Sequence, residues 1–216
     1  PTGVGRGRWE ASHSVVEYEL GGAFSQLEAV GTAKETGLAV SYPLVRATDH
    51  TADLKLGASR RALEDALLGL TSVRTNQKLL LSASGERRML SPFGDVLAYE
   101  VSLTRGNLLL HDALTKAEDE ATARTAGAYA KVNLAGSALR RFGSRWAMNL
   151  SARAQWASKN LHPSEKMALG GPGGIRAHAD AGAGDDAWLV RLELSHEFRS
   201  ISPLPGRMQL LGFVDG

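Results

Sequence analysis

Trp146-Ala147-Met148-Asn149-Leu150-Ser151-Ala152-Arg153-Ala154-Gln155-Trp156 is the stretch that decides the fold. Its even positions read Trp, Met, Leu, Ala, Ala, Trp, and the odd positions between them read Ala, Asn, Ser, Arg, Gln. A period of two places the first set on one face of an extended strand and the second on the other. Residues 188–198 repeat the pattern: Trp188, Val190, Leu192, Leu194, His196 and Phe198 alternate with Leu189, Arg191, Glu193, Ser195 and Glu197. Each segment has about the 9–11 residues that cross a bilayer as a tilted strand. Each also carries an aromatic at both ends of its apolar face, where the girdles of a membrane barrel sit.

Weaker copies lie upstream. Leu38, Val40, Tyr42 and Leu44 form one apolar row, Ala52, Leu54, Leu56 and Ala58 another, and Leu79, Leu81 and Ala83 a third. Leu97, Tyr99, Val101 and Leu103 follow, then Ala130, Val132, Leu134 and Ala138, each row interleaved with polar or small residues. Residues 9–20 make a poorer candidate of mixed parity, and residues 167–169 and 208–215 add two short ones, about ten strands in all. A soluble β-sandwich also alternates, with Lys55, Glu100, Lys131, Arg153, Arg191 and Glu193 facing water. Apolar faces of near-uniform length ending in aromatics favour an all-β transmembrane antiparallel barrel. Two stretches resist the strand reading. Residues 59–72 place Ala62, Leu63, Ala66, Leu67 and Leu70 at helical spacing, and residues 113–128 are rich in Ala, Glu and Lys. Both are expected to be long periplasmic or lumen-edge connections with some helical character, the alternative being two soluble helices of an α+β protein.

Composition agrees with a packed chain: 43% hydrophobic and 22% charged among 216 residues, which excludes wholesale disorder. The 25 basic and 23 acidic residues are too balanced, and too evenly spread, for a nucleic-acid partner. No cysteine is present, which fits an oxidising compartment but does not require it. No apolar run approaches the roughly 20 residues of a spanning helix, so a membrane reading rests on strands. Pro1-Thr2-Gly3 opens the chain without a signal peptide, and Phe213-Val214-Asp215-Gly216 closes it in what reads as mid-strand. Both ends read as cuts in a longer protein.

The run Glu165-Lys166-Met167-Ala168-Leu169-Gly170-Gly171-Pro172-Gly173-Gly174-Ile175-Arg176-Ala177-His178 resembles the loop motif of two-partner secretion transporters, the haemolysin and filamentous-haemagglutinin exporters. In that family a strand ending in Leu-Gly-Gly leads to a Val-Arg-Gly-aromatic tip. Here Ala177 replaces the Gly and His178 the aromatic. Tyr42-Pro43-Leu44-Val45-Arg46, Tyr129-Ala130-Lys131 and Phe213-Val214-Asp215 resemble further family strand motifs in the same order. The resemblance implies a sixteen-stranded barrel behind two periplasmic POTRA domains and a plug helix. This chain, residues 1–216, would hold roughly the fourth to the thirteenth strand and would not transport alone, since an open sheet cannot satisfy its edges in lipid. It also implies that Leu169, Gly170, Gly171, Ile175 and Arg176 lie in a loop inside the lumen, against Phe213 and Asp215 of the partner strand. Parity then directs Lys131, Asn133, Arg153, Gln155, Arg191 and Glu193 into the lumen. The carboxylate of Asp215 would take the guanidinium of Arg176 in bidentate contact, with Phe213 beside the Arg stem.

Other chemistries fit the residues less well. The Gly-rich run 172–176 lacks the Gly-Lys-Ser/Thr ending of a phosphate-binding loop and the Gly-x-Gly-x-x-Gly spacing of a dinucleotide fold. His13, His50, His111, His162, His178 and His196 show no i,i+4 pair, and no metal is expected. Ser195 and His196 are adjacent on a strand, point to opposite faces and cannot act together as a hydrolase. The acidic stretch 179–187 is expected to be a mobile, solvated loop rather than a cation site. The expected function is export of a secreted client polypeptide across the outer membrane of a Gram-negative bacterium, without cofactor and without enzymatic activity. The alternatives are an outer-membrane assembly-factor barrel or a passive porin. Client identity and oligomeric state stay open.

Overall fold

The computed structural model describes residues 7–19, 30–67, 70–89, 95–171, 173–176, 181–198 and 208–216. Among the described residues, nine strands form one antiparallel sheet: β1 (Arg8–Glu19), β2 (Val30–Arg46), β3 (His50–Leu67), β4 (Leu70–Arg88), β5 (Val96–Leu110), β6 (Gly127–Phe142), β7 (Trp146–Ala157), β10 (Ala187–Phe198) and β11 (Met208–Asp215). They are hydrogen-bonded in that order, each to its neighbour in the chain. The missing numbers, β8 (Met167–Ala168) and β9 (Ala183–Gly184), pair only with each other in the connection between β7 and β10. Residues 167–169 therefore belong to a connecting loop rather than to the sheet.

Register makes the two faces of the sheet concrete. Trp9, Val40, Leu56, Leu81, Leu103, Val132 and Trp156 stand in one cross-strand row. Residues directly opposite share a face, so the apolar sets read along each strand fuse into one apolar surface. Trp188 and Trp156, 67% and 51% exposed, lie on it, as do Trp146 and Phe198. Along that row, Leu56 is central to the apolar run of β3 while Trp156 ends that of β7. Leu150, central on β7, stands instead in line with Leu97 and Arg87, at the far ends of β5 and β4. The apolar band thus crosses the strands on a slant, as strands tilted in a barrel wall require.

Residues 59–72, expected as a partly helical connection, are strand: β3 and β4 pair in unbroken register from His50↔Arg87 to Leu67↔Leu70. The cause lies on the apolar face, which turns polar after Ala58. Arg60 and Glu64 point the same way as Leu56, while Leu63 points the other way with Arg61. Alternation of polarity stops there, but the strand does not. Residues 113–128 divide. Asp112 caps helix α1 (Ala113–Ala121) by accepting the Thr115 N–H at 2.7 Å, and Gly127 already opens β6.

The longest connections, 111–126 and 158–186, leave the sheet at the same end, while the short turns 47–49 and 143–145 lie at the other. On the polar face, Gly106 of β5 lies under the Tyr129 ring of β6. A Cβ at Gly106 would sit 2.2 Å from that ring, so no side chain fits. Tyr129 is buried there, and its hydroxyl meets Asn76 of β4, which is fully buried.

Candidate functional site

The 158–186 connection folds back over the polar face and is fastened at two points. Its base is a 3-10 turn, Pro163–Glu165, with Pro163 at the first position, where its missing N–H costs nothing. Glu165 is 5% exposed. Its carboxylate takes Lys78 of β4 and Lys131 of β6, each at 3.0 Å, and the Asn76 amide at 3.1 Å. Its backbone carbonyl accepts Lys131 Nζ at 2.8 Å and Gln155 Nε2 at 3.3 Å. Burial pushes the Glu165 carboxyl up, and the two ammonium groups outweigh this and leave it below its ordinary value. His162 beside it accepts from Arg74 at 3.1 Å; burial and that positive neighbour hold its imidazole low in pKa.

From the base the loop runs as the β8–β9 ribbon to a tight turn. Leu169 N–H donates to Gly182 O at 3.0 Å, and Ile175 N–H donates back to Leu169 O at 2.7 Å. Gly174 is held so close that a Cβ would meet Leu169 O at 2.1 Å. Gly171 adopts φ +79°, a left-handed conformation open to Gly. The Gly-rich run thus serves to fold the loop sharply enough to aim Arg176 at β11.

At the tip, Arg176 grips Asp215 with Nε at 2.9 Å, Nη2 at 2.8 Å and its own backbone N–H at 3.2 Å. Nη1 turns to Glu193 of β10 at 2.6 Å, and the Phe213 ring lies 3.8 Å from the guanidinium carbon. Two carboxylates and one aromatic therefore saturate a single guanidinium, a geometry that lysine could not fill. Arg153 donates to Gly173 O on the loop, and Gln155 also reaches Asp185 O at 3.0 Å. Asn133 lines the space between loop and sheet, and Arg191 stands opposite Asp215.

The acidic stretch 179–187 departs from expectation where it is described. Asp185 accepts the Leu161 N–H at 2.8 Å and pairs with Lys166 at 3.5 Å, and Asp186 accepts the Ala157 N–H at 2.7 Å. These carboxylates satisfy the backbone where the chain leaves β7, an ordered task for residues expected to be solvated. Asp180, with Ala177 and His178, lies outside the described residues. Glu165, Lys78, Asn76 and Tyr129 were not singled out as a site. They stand far apart in the chain, and only the pairing of β5 with β4 on one side and β6 on the other gathers them.

Comparison with known proteins places this geometry. A family model described as haemolysin secretion/activation protein ShlB/FhaC/HecB matches residues 1–216. The heme/hemopexin transporter protein HuxB of Haemophilus influenzae is 25% identical over 191 residues, 88% of this chain and 34% of that protein. The chain thus spans about a third of the length of this relative. Among solved structures, CdiB from Escherichia coli matches with a TM-score of 0.69 and 22% identity, over 97% of this chain and 38% of that one. CdiB from Acinetobacter baumannii matches with the same score and 16% identity, over 97% and 37%.

Proposed function

This chain belongs to the haemolysin secretion/activation family, and from that premise we propose that the full-length protein exports a partner polypeptide through its barrel lumen. Family members are outer-membrane β-barrels of Gram-negative bacteria, so the slanted apolar band meets lipid and the polar face meets the lumen. The 158–186 loop then lies inside the passage. The observation that carries the proposal is the Arg176 grip on Asp215 and Glu193, which fixes a loop within a channel that a client must share. Asn133, Arg153, Arg191 and Glu193 keep the passage wet and weakly adhesive to an extended chain, as polar pores need, while Lys131 and Gln155 hold the loop. Upstream POTRA domains would deliver the client, and its folding outside would draw it through.

The test is Arg176→Ala in the full-length protein with its client co-expressed. Client in the medium should fall sharply while the barrel still inserts and keeps its heat-resistant mobility. Secretion at the wild-type level would sink the proposal.

A further inference from the structure

The lipid-facing side carries a feature that export does not use. Where the apolar band ends toward the long connections, Arg60 of β3 and Arg105 of β5 stand exposed, with Lys34 of β2 beside them. None of the three forms an ion pair among the described residues, although most charges on the polar face do. A groove of about 890 Å³ lies between the two arginines, walled by the row Leu38, Ala58, Leu79 and Arg105 on one side and by Arg60 and Gln77 on the other. A second furrow of about 510 Å³ shares Leu79 and Arg105 and runs across the strands past Leu81, Leu103 and Val132 to Trp156, at the long-connection end of the apolar run of β7. Ala58, Ala128 and Ala130 leave the room that larger side chains would fill.

We propose that Arg60 and Arg105 form a site for a phosphorylated glycolipid of the outer leaflet, with its phosphates on the guanidiniums and its acyl chains packed on the apolar rows beneath them. Long connections mark the extracellular end of such barrels, so the arginines sit at the level of the outer headgroups. One strand separates β3 from β5, which sets the two backbones about 10 Å apart across the sheet, close to the length of a disaccharide. Guanidinium suits phosphate because its planar fork meets two oxygens at once. Unpaired cations above an apolar furrow suit a ligand with anionic head and multiple chains better than a second protein surface, which would need carboxylates and a flat contact.

Native mass spectrometry of the full-length protein, released from detergent with added bisphosphorylated lipid A, tests this. The adduct should persist on the wild type and on Arg87→Gln, an exposed cation on the same face at the opposite end. It should weaken about tenfold or more for each arginine removed, in Arg60→Gln and in Arg105→Gln. Dephosphorylated lipid A and phosphatidylglycerol should bind the wild type no better than lipid A binds the double variant. Equal adducts on wild type and double variant would overturn the site, as would equal loss in Arg87→Gln or equal binding of phosphatidylglycerol. A dimer that appears with lipid A withheld and that the double variant abolishes would assign the groove to a second copy instead.

Discussion

The two fastenings of the loop are electrostatic opposites. At the base a loop carboxylate, Glu165, enters a pair of wall ammoniums; at the tip a loop guanidinium, Arg176, enters a pair of wall carboxylates. Neither end can dock in the other's site, so charge sign alone fixes which way the loop lies. The environments differ as well. Glu165 is 5% exposed, whereas the Arg176 side chain is 27% exposed and borders the passage. Removing one partner from a buried pair strands the other without water, and an accessible pair can exchange into solvent. Asp215 is itself 3% exposed, so water reaches the tip only on its Arg176 and Glu193 side, and the base is the more enclosed end.

Glu165→Ala is expected to have the largest effect, about 3–5 kcal/mol of barrel stability, because Lys78 and Lys131 are left facing each other in a dry site. Denaturant unfolding in lipid measures it. A smaller cost than that of Arg176→Ala in the same assay would reverse the comparison. The wall supplies an independent scale: Leu192→Arg, on the lipid face, should cost about 2–4 kcal/mol, and Ser195→Arg, on the polar face of the same strand, clearly less. Similar costs for the two would mean that the faces are misassigned.

Acid should separate the fastenings further. The Glu165 pKa is lowered in the folded state, so its contribution is complete above the ordinary glutamate range and is lost as pH falls through the lowered value. His162 has a lowered pKa too, so its imidazole stays neutral below the ordinary histidine range, and further acid protonates it against burial and Arg74, at a cost to the folded state. Both changes loosen the base in the same direction. Proteolysis near residues 162–166 should therefore rise on acidification and stay low at neutral pH; protection that persists well below the glutamate range would count against the role given to Glu165. The smallest effect belongs to Arg176→Lys. It keeps the charge but not the fork that spans Asp215 and Glu193, so loop-tip protection should fall while the barrel's unfolding transition barely moves.

Legibility in the sequence followed contrast between faces. Residues 146–156 and 188–198 could be read because one face of each strand is apolar and the other mostly polar. Beyond Ala58 the apolar face turns polar, so Arg60 and Glu64 interrupt the alternation, and the remaining apolar residues imitate a helix. At the tip, Arg176, Phe213 and Asp215 could be named because short motifs carry them. The base could not, since Glu165 is an ordinary glutamate until folding brings it Lys78 from 87 residues away. The capping Asp185 and Asp186 were hidden for the opposite reason: a small-residue acidic run looks solvated unless the backbone it serves is known.

The Tyr129 ring over Gly106 has an evolutionary consequence. That ring positions Asn76, and Asn76 donates to Glu165, so a bare backbone position on β5 underlies the loop's enclosed end three residues removed. Neither member of the pair is free to drift alone. A mutation at Gly106 collides with the ring, and a smaller residue at 129 leaves a hollow and an orphaned amide. Among homologous chains the two positions should covary, with a side chain at 106 accompanied by a reduced residue at 129. Lineages that make that exchange should also show a rewritten partner for the glutamate, leaving the history of the loop's anchor recorded at a glycine that never touches it.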